Sequence, residues 1–99
     1  MSSINLQLDD AVNKAEINKV RELLAKGADI EFSDPFGNTP LINAAWVGVY
    51  DIVTYLLNKG ANINHRNNDG LTALELIKTI GHNDYGHENV IKTLQSKGN

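Results

Sequence analysis

The chain has 99 residues, 41% of them hydrophobic and none of them Cys, which allows one domain with a modest core and excludes a disulfide framework, a thiolate nucleophile and a thiolate metal site. Nine Lys and Arg stand against twelve Asp and Glu, for a formal net charge of -3, and the basic residues are scattered, so a nucleic-acid phosphate binder is not expected. No apolar run approaches the ~18 residues of a membrane span, and Met1-Ser2-Ser3-Ile4-Asn5 carries no basic n-region or apolar h-region, so the expectation is a soluble cytoplasmic protein.

In chain order, helix is expected first near Leu6 to Asp10, with Ala11, Val12, Ile17, Val20, Leu23 and Leu24 as the core of the opening segment. Asp34-Pro35-Phe36-Gly37-Asn38 then holds Pro and Gly at turn spacing, and in Thr39-Pro40 the Thr can cap a helix while the Pro suits its first position. That helix covers Leu41 to Trp46, where Ala44-Ala45 permits close approach of a neighbour, and Gly48 ends it. Asp51 is the expected N-cap of a further helix in which Ile52, Val53, Leu56 and Leu57 make one buried stripe, ended by Gly60. Ala61 to Asp69 is polar and turn-rich, with only Ile63 apolar, and reads as a hairpin-like connection. Gly70, Thr72, Leu74 and Gly81 restart the pattern, and Glu88 to Lys97 is the expected last helix.

These segments are copies of one unit. Gly27-Ala28-Asp29-Ile30 returns 33 residues on as Gly60-Ala61-Asn62-Ile63, Leu23-Leu24 as Leu56-Leu57, and Gly37-Asn38-Thr39-Pro40-Leu41 as Gly70-Leu71-Thr72-Ala73-Leu74. Such a period marks a stack of units that cannot bury their apolar faces alone. The repeats fall at about 1–33, 34–66 and 67–99, the outer two acting as caps. In the third, Leu94 stands 38 after Leu56, so five extra residues enter between its helices, within His82-Asn83-Asp84-Tyr85-Gly86-His87. This insertion near 82–87 is expected as an exposed loop carrying Tyr85. Gln95, where the middle repeat has Leu57, fits a solvent-facing cap.

Gly37-Asn38-Thr39-Pro40-Leu41, Ala44-Ala45, Gly48, Ile52-Val53, Leu56-Leu57 and Gly60-Ala61-Asn62-Ile63-Asn64 together resemble the ankyrin repeat, and the register holds over residues 8 to 98. The resemblance implies an all-α solenoid of three ankyrin repeats, with paired antiparallel helices and hairpin-like connections. Ile42 and Val49 stand where that family commonly has His, so each removes a hydrogen-bonding ring.

No phosphate loop, Gly-x-Ser-x-Gly, His-Glu-x-x-His or calcium loop is present in the chain. His82, Asp84 and His87, with Glu88 and His65 in support, are the one set able to hold a divalent metal, against which stands the reading of a polar loop without rigid support. The chain is therefore read as non-catalytic, with no cofactor, no metal and no small-molecule substrate; metal-dependent activity at His82, Asp84 and His87 is the enzyme alternative.

What the family resemblance implies about function is protein binding through the hairpin tips and the exposed face of the first helix of each repeat, which line the concave side. Carried onto this chain, the partner-binding residues are Phe36, Asn38, Trp46, Val47, Arg66, Asp69, Leu71 and Ile80, with Ser33, Pro35, Asn68, Thr79, Asn13 and Lys14 at equivalent places. Phe36, Trp46, Val47, Leu71 and Ile80 are large apolar groups that the scaffold does not need, and aromatic anchors dominate interfaces. A surface cluster that merely shields the stack is the competing account. The expected partner is another protein, met by a chain that is monomeric when free. Small size and acidity also suit an inhibitor or immunity protein that occludes a toxin or enzyme, and a self-associating module is a third reading.

Overall fold

Ser3 opens the first helix: its hydroxyl accepts the backbone N–H of Leu6 at 3.1 Å, a side-chain cap that satisfies one of the unpaired amides of the first turn. The computed structural model describes residues 3–80 and 85–97. Its helices are α1 (Ile4–Asn13), α2 (Ile17–Ala25), α3 (Pro40–Val47), α4 (Tyr50–Asn58), α5 (Ala73–Ile80) and α6 (Tyr85–Lys97), with no strand among the described residues. α1 is longer at both ends than the segment read from the sequence.

The helices stand in two rows. α3 packs on α1 and α5 to make an inner row, and α4 packs on α2 and α6 to make an outer one. Between the rows lies one continuous core, to which α1 gives Leu8 and Val12, α3 gives Leu41 and Ile42, α4 gives Ile52 and Leu56, and the last repeat gives Ile77, Val90 and Leu94. Ala44 and Ala45 are fully buried, as close approach of helices on both sides of α3 requires.

One cap follows the sequence reading, one adds to it and a third departs from it. Thr39 accepts the N–H of Ile42 at 3.4 Å with Pro40 at the first helical position. In the third repeat Thr72 and Glu75 cap each other: Thr72 Oγ1 accepts the Glu75 N–H at 3.2 Å and Glu75 Oε1 accepts the Thr72 N–H at 3.0 Å, a reciprocal box. Asp51, expected as an N-cap, instead lies in the first turn of α4; the cap is Val49, with no side-chain bond, and the acidic side chain favours the positive end of the helix dipole. Leu57 is only half-buried, so Gln95 takes up an exposed place in the same register without loss of core.

The third repeat corrects the expected insertion. α6 begins at Tyr85 rather than Glu88, so three of the five extra residues extend the helix. His87, read as part of an exposed loop, sits in the first turn of α6 and is 4% exposed. His82 and Asp84 lie outside the described residues, as does the side chain of Tyr85.

Candidate functional site

The turn tips are built from backbone geometry and stitched to one another. Asp34 donates its N–H to the Asn38 carbonyl at 3.0 Å and Asn67 does the same to Leu71 at 2.9 Å. Across the repeats, the Asn68 N–H meets the Phe36 carbonyl at 3.0 Å, Asn68 Nδ2 the Pro35 carbonyl at 2.9 Å, and Asn67 Nδ2 the Asn38 Oδ1 at 3.0 Å. His65 Nε2 donates to the Gly37 carbonyl at 3.1 Å. The tips pass so close that a Cβ on Gly37, whose φ is +79°, would collide with the Asn68 side chain. Asn68, read from sequence as a partner contact, is thus held by the scaffold.

Between these tips and the inner row lies a groove of about 460 Å³. Four of the eight residues expected to bind a partner meet there, Phe36, Asn38, Trp46 and Asp69, together with Asn13 from α1. Phe36 and Trp46 are 71% and 46% exposed. Val47 and Leu71 are half-buried and lie outside the groove. Arg66, at the end of the second repeat, is turned to the start of the third, its Nη1 donating to the Gly70 carbonyl at 2.7 Å and to Glu75 Oε1 at 2.8 Å. The side chain of Ile80 lies outside the described residues.

Asp34, Asn43, Asn67 and Leu76 also line the groove, and the sequence reading passed over them. A signal was present for two: Asn43 stands one helical turn before Trp46, and Leu76 is its counterpart 33 residues on. Asn43 is a polar residue only 7% exposed on a helix that is otherwise apolar. Its Nδ2 donates to Asp9 Oδ1 at 2.9 Å and to Asp34 Oδ2 at 3.2 Å. Burial, and then the charge of Asp34, push the Asp9 carboxyl above its ordinary pKa, with Asn43 pulling the other way. Glu75 moves oppositely, lowered chiefly by the Thr72 backbone N–H.

The wall of the groove that carries Trp46 is clamped from behind. His87 Nε2 lies 2.7 Å from the Trp46 carbonyl, and since a carbonyl only accepts, the ring donates through Nε2–H. The ring also fills the space beside Gly48, where a Cβ would lie 2.6 Å from His87 Cε1. The residue expected to ligate a metal is therefore engaged by the scaffold. Among the described residues no group of three or more His, Cys, Asp or Glu could hold a metal ion, and no helix is long and apolar enough to cross a membrane.

Stacked helix pairs joined by stitched turns define a repeat solenoid, and comparison with known proteins gives its kind. The family model described as ankyrin repeats (3 copies) matches residues 8–99. The chain belongs to the ankyrin-repeat family. It is 44% identical over 63 residues to the 2-5A-dependent ribonuclease of Mus musculus, covering 63% of this chain and 9% of that protein. It is 37% identical over 79 residues to the human (Homo sapiens) Arf-GAP with coiled-coil, ANK repeat and PH domain-containing protein 2, covering 78% and 10%. A third similarity, 39% over 64 residues, is to the mouse ankyrin repeat, SAM and basic leucine zipper domain-containing protein 1, covering 65% and 13%. The chain thus spans about a tenth of the length of these relatives.

Proposed function

We propose that this ankyrin-repeat chain is a non-catalytic protein-binding module that meets its partner through the groove between the turn tips and the inner helix row, the concave side of the stack. Ankyrin repeats typically serve as protein-interaction modules, and the observation that carries the finer reading is the groove itself. The core of the stack is complete without Phe36 and Trp46, yet both rings stand exposed from different elements of one repeat around one depression. Isolated exposed apolar residues are ordinary; two aromatic rings converging on a concave surface are the anchor pattern of interfaces.

The test is a random-peptide display selection on the immobilised protein, followed by titration of the selected peptides against variants. Trp46 is the single tryptophan of the chain, so its fluorescence reports the groove directly. Trp46→Ala and Phe36→Ala should each weaken binding by about 2 kcal/mol, near thirtyfold, while Lys19→Ala on α2 should change it little. Binders indifferent to both ring truncations would refute the groove as the partner site.

A further inference from the structure

Asn43 is 7% exposed on an otherwise apolar helix, and the fold uses only half of its amide. Nδ2 donates to Asp9 Oδ1 at 2.9 Å and to Asp34 Oδ2 at 3.2 Å, which engages both of its hydrogens. An ionised carboxylate accepts and cannot donate, so these two bonds fix which way round the amide sits. Oδ1 lies on the other side of the amide and accepts no bond from the described residues. Among those residues no fully buried side-chain N or O lacks a partner. The oxygen is therefore open at the surface that the side chain lines, which is the groove. Asn38, also in the lining, carries the complementary half. Its backbone N–H and the Asn43 amide share the two oxygens of Asp34, which keeps the two residues adjacent. Asn38 Oδ1 accepts from Asn67, while its Nδ2 donates to none of the described residues.

The groove thus offers one neutral acceptor and one neutral donor from neighbouring amides. A buried acceptor left without a donor is costly, so an occupant that seals the groove over Asn43 has to bring an N–H. In an extended chain the N–H and C=O of one residue point to the same side, and that pair matches these two amides. We propose, resting on the reading of this groove as the partner site, that it reads the main chain of an extended segment of the partner protein. The N–H of one partner residue donates to Asn43 Oδ1, and the carbonyl of the same residue accepts from Asn38 Nδ2. The conformation of the segment counts for more than its sequence at this point, since every residue except proline carries the same pair of groups.

A display-selected peptide, resynthesised as a series in which each backbone N–H in turn is N-methylated, tests this against the isotope-labelled full chain. Methylation at one position should weaken binding about tenfold, the scale of a hydrogen bond whose acceptor is left buried and unmet. By NMR the Asn43 side-chain carbonyl carbon should shift when the parent peptide binds, and that shift should vanish with the peptide methylated at the same position. Asn43→Leu should abolish the tenfold difference at that position and leave the rest of the series unchanged, with thermal melts confirming that the variant remains folded; if it does not, the carbonyl shift in the wild-type chain decides. A carbonyl shift that survives every methylation gives Asn43 a side-chain donor and overturns the inference. So does a series with no position coupled to Asn43 in peptides that still require Phe36 and Trp46, a result that leaves the groove as the partner site. Selected peptides indifferent to both rings would remove the underlying reading itself, and this inference with it.

Discussion

His87→Ala removes a side chain that crosses from the third repeat to the carbonyl end of α3. Helix ends leave their last carbonyls without intrahelical partners. In α3 the Ala44 and Ala45 carbonyls are taken by the Gly48 N–H, Ala44 also by Val49, and the Trp46 carbonyl by His87. Loss of that donor leaves a partly buried acceptor unpaired, worth about 1 to 3 kcal/mol, and deletion of a ring that is 4% exposed adds a cavity contribution, so roughly 2 to 4 kcal/mol in all. Against a total stability of about 5 to 15 kcal/mol for a chain of this size, the urea midpoint should fall by roughly 1 to 2 M. Urea unfolding followed by Trp46 fluorescence gives the measurement. His87→Gln, which keeps a donor, should recover part of the loss, and EDTA should leave the wild-type midpoint where it is. An unchanged midpoint in His87→Ala would refute the clamp, and a midpoint lowered by EDTA would return His87 to a metal.

Leu56 is fully buried between two neighbouring repeats, so Leu56→Ala should cost about 2 to 5 kcal/mol, whereas Gln95→Ala on the exposed face of α6 should be nearly neutral; paired urea midpoints decide it, and the reverse order would break the register of the third repeat. Asp9→Asn should be more stable than wild type at pH 7. Because the folded Asp9 carboxyl is raised above its ordinary 3.8, its stabilising contribution is full below that value and is lost as pH rises through the folded pKa, so the advantage of the variant should fade as the pH is taken down toward 3 in matched melts. Glu75 has the opposite sign: lowered in the fold, it stabilises above its unfolded pKa and loses that contribution as pH falls, so Glu75→Gln should narrow the acid-induced loss of melting temperature. Phe36→Ala, at a residue 71% exposed, should shift the melting temperature by no more than about 4 °C, since exposed sites seldom exceed about 0.5 kcal/mol; a sharp drop would make the ring a shield for the stack.

The 33-residue period, the capping Thr39, the end of α3 at Gly48 and the core stripe of α4 were all legible in the sequence, because each depends on local conformation or on a face repeated at a fixed spacing. The fold class followed from them. Phe36, Asn38, Trp46 and Asp69 were placed on the concave side by the resemblance to the ankyrin repeat, and they line the groove. Asn43 was missed because its meaning lies in Asp9, 34 residues earlier, and hydropathy along one helix cannot show a bond to another. His87 shows the same limit with a recoverable signal: moved back 38 places it falls on Val49, where the family commonly carries His, and the extra residues hid that register. Arg66 looked like a free rim charge until Glu75 and the Gly70 carbonyl were brought to it by the turn. Local rules set which elements form and where they end, while contacts between repeats decide which polar groups are satisfied by the scaffold and which remain for a partner.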